Sequence, residues 1–223
     1  IEANLDIASR IGLNAGRDER LWNAVEWNKG EYIYGNFVEK AYTQAARRGL
    51  AMIFILAYGN RHYDNGNYPV RPETAEAFCR FAEHTARHFV DRAEFFQVWN
   101  EWDGGCGMNP AKRGRGDAES YINLLKAAYP ALKQADPDAT VVSGSVCTGD
   151  EYFEKLLQLG IADHCDILSI HTYNFQQRGE AATPEAWQRR MLKLDEMIRK
   201  YNNGDSKPVF VTEMGYPSFT GPH

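Results

Sequence analysis

The sequence predicts an α/β fold in which helices connect the strands of a parallel sheet. Short apolar runs alternate with longer segments of helical periodicity throughout the 223 residues, and this alternation is typical of strands joined by crossover helices. No linker or low-complexity tract interrupts it. With 43% hydrophobic and 25% charged residues, the chain can bury a sizeable core, and residues 1–223 are expected to form a single domain.

Helices are predicted from apolar residues at helical spacing and from signals at the helix ends. Asn36 is a suitable N-cap and Gly49 a stop for the helix between them. Asp136-Pro137 ends a later helix, and Pro184 suits the first turn of the last one. The predicted helices are, in chain order, residues 1–10 (a helix end), 36–48, Thr74–Val90, Asp117–Gln134, Tyr152–Leu159 and Pro184–Lys200.

Strands are predicted where a short apolar run ends at polar or turn residues. The clearest is Ala51–Ala57, which is apolar throughout. The long segments Asp18–Tyr34 and 103–116 are expected to be loops, and the second contains five Gly and one Pro. The predicted strands are, in chain order, Leu13–Arg17, Ala51–Ala57, Glu94–Asn100, Thr140–Ser143, Asp166–His171 and Pro208–Glu213.

The number and order of these elements predict a (β/α)8 TIM barrel. Such a barrel has eight strands in about 250 residues, so the six predicted strands would be strands two to seven, with strands one and eight missing from this segment. We therefore expect the natural protein to continue beyond both ends. An open doubly wound sheet is the alternative, but no Gly-x-Gly-x-x-Gly turn supports it.

The composition argues against several classes of partner. A net charge of −5 and the absence of a long basic stretch argue against a nucleic-acid surface, and no segment approaches the roughly 20 apolar residues of a membrane helix. The four cysteines form no Cys-x-x-Cys pair, so we expect free thiols, with one disulfide left open. No metal or cofactor is expected. The compartment and oligomeric state are undecided, with an extracytoplasmic location favoured.

Polar side chains follow the apolar runs, at the strand ends that carry catalytic groups in a barrel. Two of them are carboxylates. Glu101 follows Trp99-Asn100, and Glu213 lies within Val-Thr-Glu-Met-Gly. Two carboxylates at the ends of parallel strands are the equipment for splitting a glycosidic bond, one as proton donor and the other as nucleophile.

The two motifs resemble those of clan A glycoside hydrolases, a group of retaining barrel enzymes. In that clan an Asn-Glu pair ends strand four and the nucleophilic Glu ends strand seven, which matches Asn100-Glu101 and Glu213. The stretches Arg17–Trp22 and Ile170–Tyr173 look most like family 39. Within that family, Trp-Asn-Glu-Trp-Asp is most similar to bacterial enzymes that cut exopolysaccharide.

The resemblance implies that Glu101 is the acid/base and Glu213 the nucleophile, with Arg17 and Tyr173 beside the nucleophile. To donate a proton near neutral pH, Glu101 needs a pKa raised by an apolar setting and a nearby carboxylate. Contacts with the sugar are expected from polar and aromatic side chains at the strand ends, with His171 also a candidate to orient Glu101. These residues are Asn100, His171, Tyr58, His62 and Trp102.

The leading hypothesis is a retaining glycoside hydrolase that cleaves β-linked polysaccharides or oligosaccharides. A carbohydrate-binding barrel without catalysis is the alternative, although the intact set of polar residues argues against it. A metal-dependent hydrolase that uses His171 is a third hypothesis, and the sequence has no His-x-His pair to support it.

Overall fold

The computed structural model describes residues 1–107, 115–174, 177 and 179–215, in which strands alternate with helices. The strands are β1 (Ala15–Leu21), β2 (Ala51–Ala57), β3 (Phe95–Val98), β4 (Thr140–Val142), β5 (Leu168–His171) and β6 (Val209–Glu213). The helices are α1 (Glu2–Arg10), α2 (Trp22–Val25), α3 (Asn36–Arg47), α4 (Pro72–His88), α5 (Ala118–Ala135), α6 (Asp150–Gln158) and α7 (Pro184–Tyr201). No helix in these ranges is long and apolar enough to cross a membrane.

All strand pairs are parallel and follow the order of the chain. β1 to β4 form one sheet, and β5 pairs with β6. Single parallel bridges, such as Val142 with Ile167, connect β4 to the segment that leads into β5. Among the described residues β1 and β6 do not pair with each other, so the structure shows consecutive parallel strands of an α/β fold without showing a closed barrel.

The outer face of the sheet packs against the helices. Pro72 begins α4, where its fixed φ and missing N–H are tolerated. The buried side chains of this helix recur at helical spacing, including Ala77, Phe78 and Phe81. On the sheet, Phe54 of β2 contacts Phe96 of the next strand with ring centroids 6.0 Å apart. This apolar layer between strands and helices is the core of the fold.

The inner face shows that the sheet is curved. Phe95 of β3 and Phe210 of β6 lie on strands that are not neighbours, yet their ring centroids are 5.4 Å apart. Such a contact requires the strands to bend around a common interior, as in part of a barrel. Side chains that point inward can therefore meet across the structure, and this places the candidate site.

The predicted strands are all present, but the first is longer than expected. The predicted strand Leu13–Arg17 is too short, because β1 runs over Ala15–Leu21 and pairs with all seven residues of β2. The predicted loop from Asp18 to Tyr34 is therefore wrong in its first part, which also contains the short helix α2. The sequence Ala-Gly-Arg-Asp-Glu-Arg-Leu lacks an apolar run because β1 is an edge strand and is largely half-buried or exposed.

The third strand is shorter than predicted. β3 ends at Val98, where the sequence suggested Asn100. Trp99 has φ +71° and therefore leaves the strand conformation. The next residue, Asn100, forms an isolated parallel bridge with Ser145. The predicted loop 103–116 lies partly outside the described residues.

Candidate active site

Strands β1, β3, β5 and β6 bring four charged or titratable side chains together at one end of the sheet. Arg17 belongs to β1, Glu101 follows β3, His171 ends β5, and Glu213 ends β6. Arg17 and Glu213 are separated by 196 positions in the chain but are joined by a hydrogen bond. Because parallel strands point the same way, their C-terminal ends meet at one edge, as the sequence predicted.

Glu213 is held by donors on both carboxylate oxygens. The Arg17 Nη1 donates to Oε1 at 2.7 Å, and the Tyr173 hydroxyl donates to Oε2 at 2.9 Å. The hydrogen bond to Glu213, followed by burial, raises the pKa of the Tyr173 hydroxyl above its ordinary value, so this group stays a donor. A guanidinium and a hydroxyl together fix the orientation of the carboxylate.

Arg17 links three strands through its planar fork. Its Nε donates to Gln97 Oε1 at 2.9 Å and its Nη2 donates to Asn100 Oδ1 at 2.7 Å, in addition to the bond with Glu213. The amide of Asn100 in turn donates to the Tyr58 hydroxyl at 3.1 Å. The fork therefore fixes the positions of Asn100 and Glu213 relative to each other.

Glu101 contacts a ring nitrogen and a thiol. His171 Nδ1 lies 2.6 Å from its Oε1, and Cys106 Sγ donates to its Oε2 at 3.1 Å. Burial and the Glu101 carboxylate raise the pKa of the Cys106 thiol to about 12, so it remains a weak donor at neutral pH.

The pKa of Glu101 is lowered, mainly by the hydrogen bond from His171 and despite partial burial, with further lowering by Cys106 and the Arg17 charge. This contradicts the expectation of a raised pKa for this carboxyl. Its neighbours Trp99 and Trp102 pack on each other in the core, whereas the Glu101 oxygens face donors. Hydrogen bonds to the ionised form outweigh burial here.

The backbone around Glu101 is unusual. Trp99 and Glu101 both have positive φ, at +71° and +45°, a region that bulky residues rarely adopt. A Cβ on Gly104 would lie 2.6 Å from Cys147 Sγ, so a larger residue there would require the Cys147 side chain or the turn to move. Strained backbone of this kind is often found at functional sites.

Asp103 connects this turn to the segment after β4. Its buried carboxylate accepts hydrogen bonds from the amide of Cys147 at 3.0 Å and from the amide and hydroxyl of Thr148 at 2.7 and 2.6 Å. Three donors satisfy a carboxylate that would be costly to bury alone. The sequence motif did not identify this role of Asp103.

A polar cluster that the sequence did not reveal lies inside the sheet below the carboxylates. Gln97 Nε2 donates to Ser145 Oγ at 2.6 Å, and Ser145, Ser169 and Thr212 exchange hydroxyl hydrogen bonds of 2.7 to 2.9 Å. The available signal was a single Gln within the apolar run Phe-Phe-Gln-Val-Trp. Alternation along a strand turns that position away from Phe96 and Val98 and towards the interior.

Most of the expected site residues lie together, but two do not. The six that form one connected group are Arg17, Asn100, Glu101, His171, Tyr173 and Glu213, with Tyr58 attached through Asn100.

Trp102 is corrected from a sugar contact to a core residue. It is 2% exposed, stacks on Tyr68 with centroids 3.9 Å apart and donates to the Asp117 carbonyl at 3.0 Å. His62 is half-buried, and its Nε2 lies 3.0 Å from the Trp27 carbonyl. A contact between His62 and a sugar stays a prediction, because the contact that the structure shows for its ring nitrogen is with Trp27, in the loop after α2.

Three of the site residues could also contribute ligands to a metal ion. Glu101, His171 and Glu213 each offer an atom, and these atoms lie within 4.8 Å of one another. However, the Arg17 guanidinium already binds Glu213, and a fixed positive charge at this position opposes a divalent cation. These side chains therefore fit a hydrogen-bonded network better than a metal centre.

A cleft of about 960 Å³ opens beside Glu101, lined also by His171 and Tyr173. It continues past the N-terminal end of α6 to one side of α7. Polar side chains converge at its inner end, and its volume is in the range of ligand pockets.

Solved structures share this fold. A family 39 glycoside hydrolase from Bacteroides cellulosilyticus WH2 aligns with TM-score 0.77 and 22% identity over 99% of this chain and 47% of its own. A GH39 enzyme from Xanthomonas axonopodis pv. citri gives TM-score 0.67 and 18% identity over 97% and 48%. A glucosidase from Croceicoccus marinus gives 0.67 and 17% over 98% and 49%. The chain therefore shares its fold with these glycoside hydrolases.

The predicted resemblance is thus confirmed at the level of the fold. No protein-family profile matches the chain, and no curated protein matches its sequence. The chain spans about half the length of the solved structures described above.

Proposed function

We propose that the protein is a retaining glycoside hydrolase that cleaves β-glycosidic bonds of a polysaccharide or oligosaccharide. The observation that carries this proposal is the separation of the two carboxylates. An oxygen of Glu101 lies within 4.8 Å of an oxygen of Glu213. Retaining enzymes hold their two carboxyl groups about 5–5.5 Å apart, whereas inverting enzymes need about 6.5–9.5 Å to admit a water molecule.

In the proposed reaction, Glu213 attacks the anomeric carbon and forms a glycosyl ester while the bond to the leaving oxygen breaks. The contacts of Glu213 with Arg17 and Tyr173 support this role, since they fix the orientation of the carboxylate and favour its ionised form. Asn100 binds the sugar 2-hydroxyl in this proposal, and the hydrogen bond that holds it to Arg17 supports the assignment. Such a bond strengthens as positive charge develops on the sugar.

Glu101 gives its proton to the leaving oxygen in the first step and takes one from water in the second. The lowered pKa of Glu101 suits the second step, where the ionised form acts as base. For the first step the proton must be retained on Glu101 when the sugar binds. This requires the His171 tautomer whose Nδ1 carries no proton, because that nitrogen can then accept a hydrogen bond from protonated Glu101.

The alternative of a binding barrel without catalysis is not favoured. A protein that only binds sugar needs no strained turn at Glu101 and no guanidinium on Glu213, yet both are present. Buried charge and backbone strain both cost free energy, and strained residues cluster at functional sites.

The test is a pair of variants with azide as an external nucleophile. Glu213→Ala should lose turnover by at least about 10³-fold, and azide should restore it on activated aryl glycosides with inversion at the anomeric carbon. Glu101→Ala should keep activity on aryl glycosides whose leaving group needs no proton, lose activity on natural linkages, and form azide products with retention.

Glu76→Ala is the matched control, because Glu76 is an exposed carboxylate on α4 and its loss should leave both activities unchanged. Full activity of both site variants on oligosaccharides would disprove the assignment. Product anomers followed by NMR in the first minutes of hydrolysis give the stereochemical outcome directly.

A further inference from the structure

The cleft beside Glu101 extends away from Glu213. Its inner end is formed by Glu101, His171 and Tyr173, and its outer part by the start of α6 and the side of α7. Glu213 does not line this cleft within the described residues. If Glu101 protonates the leaving oxygen, the group that departs lies on the Glu101 side of the broken bond, and therefore in this cleft.

Trp187 of α7 provides an aromatic wall in the outer part of the cleft. Its ring is half-buried, and its indole N–H is buried without a hydrogen-bond partner among the described residues. Buried donors are nearly always paired. A ligand hydroxyl entering beside the ring, with a small rotation of the ring, would supply the acceptor that this donor lacks.

Arg190 and Asp150 provide a hydrogen-bonding pair in the same part of the cleft. The Nε and Nη2 of Arg190 both donate to Oδ1 of Asp150, at 2.9 and 2.7 Å. The pair is partly exposed, with 32% of the Arg190 side chain and 43% of the Asp150 side chain accessible. Since both bonds use one oxygen, the second carboxylate oxygen and the third guanidinium nitrogen can bind adjacent hydroxyl groups of a sugar.

The charges of the cleft favour an uncharged ligand. Three carboxylates line it, those of Glu101, Asp150 and Glu151. The only cation in its described lining is Arg190, which Asp150 already neutralises. In the proposed reaction Glu101 carries its proton when the sugar binds, so the negative charge that remains is that of Glu151, which would repel a uronic acid or a sulfated sugar. Aromatic, amide and paired ionic groups instead suit the hydroxyls and C–H faces of a neutral sugar.

We infer that Trp187, Arg190 and Asp150 form a subsite for the leaving-group sugar, and that this sugar is uncharged. The inference rests on the proposed function, because only the protonating role of Glu101 makes this side of the cleft the leaving-group side. The substrate is then a β-linked chain in which a neutral sugar follows the cleaved bond.

The kinetic test compares two leaving groups. Neutral β-1,4-linked oligosaccharides of xylose, glucose and mannose are measured beside 4-nitrophenyl β-glycosides of the same sugars. In Trp187→Ala and Arg190→Ala, the ratio of kcat/KM on the oligosaccharide to kcat/KM on the aryl glycoside should fall about tenfold, the effect of one or two hydrogen bonds.

Arg199→Ala is the matched control, since Arg199 is also on α7 but pairs with Asp195 at the surface, and it should not alter the ratio. Trp187→Phe, which retains a ring without the N–H, keeps the test valid if Trp187→Ala does not fold. An unchanged ratio in correctly folded Trp187 and Arg190 variants would overturn the subsite.

Calorimetric binding to Glu213→Ala separates this inference from the proposed function. If the wild-type protein hydrolyses no glycoside but the variant binds neutral oligosaccharides, with binding about tenfold weaker once Trp187 is also replaced, the neutral-sugar site stands, while its leaving-group assignment and the proposed function both fail. If neither hydrolysis nor binding occurs, both fail. An oligosaccharide with glucuronic acid after the cleaved bond should bind more weakly at low salt, and equal or tighter binding would refute the neutral-sugar assignment.

Discussion

The Nδ1 atom of His171 lies 2.6 Å from Oε1 of Glu101. Its other ring nitrogen, Nε2, lies 3.4 Å from Oε1 of Glu213, and the side chain is 1% exposed. Because a neutral imidazole carries one N–H, it can donate to only one of the two carboxylates at a time. The ring lies between the two carboxylates but hydrogen-bonds to Glu101, since its Nε2 has no hydrogen-bond partner among the described residues.

The contact between His171 and Glu101 predicts the pH dependence of hydrolysis. The contact with His171 stabilises ionised Glu101 and lowers its pKa, so the protonated form needed for the first step disappears as the pH rises through this lowered value. We expect kcat/KM to be highest at acidic pH. In His171→Ala the pKa of Glu101 rises, so the alkaline limb of the kcat/KM profile should move to higher pH, with a maximum about 10–10²-fold lower.

The control for the pH prediction is His84→Ala. His84 lies on α4 and stacks on Tyr32 with ring centroids 4.6 Å apart, so its loss should leave the alkaline limb in place. An identical limb in His171→Ala and the wild-type protein would show that His171 does not control the Glu101 proton.

The three hydrogen bonds of the Arg17 guanidinium predict that a positive charge alone does not give full activity at this position. Arg17→Lys retains a positive charge but cannot donate to Gln97, Asn100 and Glu213 simultaneously. We expect kcat/KM to fall about 10²-fold, as when a positioned donor is removed. Arg80→Lys, which alters a surface ion pair with Glu76, is the control. Near wild-type activity of Arg17→Lys would mean that only its charge matters.

The carboxylate of Asp103 predicts a structural effect on the turn that carries Glu101. Asp103→Asn replaces a carboxylate that accepts three hydrogen bonds by a carboxamide. The NH2 group of the carboxamide would then face N–H and O–H groups that are themselves donors. The free energy of unfolding should fall by about 2–4 kcal/mol, because the side chain is buried. Urea denaturation measures this. Asp138→Asn, at an exposed turn, should change stability by less than about 0.5 kcal/mol.

The placement of Trp102 predicts a loss of stability from its replacement. Trp102→Ala removes a buried ring packed on Tyr68 and Trp99, and should lower the free energy of unfolding by about 3–5 kcal/mol. Trp27→Ala, in which the lost ring is 62% exposed, should have a much smaller effect. If Trp102→Ala instead kept full stability and weakened sugar binding alone, the sequence-based expectation of a sugar contact would be restored.

Much of the site could be predicted from the chain. The run before Glu101 and the run before Glu213 are apolar enough to be buried strands, and parallel strands present their C-terminal ends at one edge. That rule alone brought Glu101, His171 and Glu213 together. It did not place Arg17, which the sequence put at a strand end but which lies within β1, four residues before Leu21, and contacts Glu213 through its long side chain.

The sequence by itself determined the order of the strands, the parallel α/β fold and the edge at which the carboxylates meet, because burial and alternation are properties of local sequence. Only the tertiary structure decided what each side chain contacts. The positive φ of Trp99 and Glu101 turns Trp102 into the core and the Glu101 oxygens towards His171 and Cys106. It thereby reverses the expected direction of the Glu101 pKa, since that direction depends on donors that come from distant strands and loops.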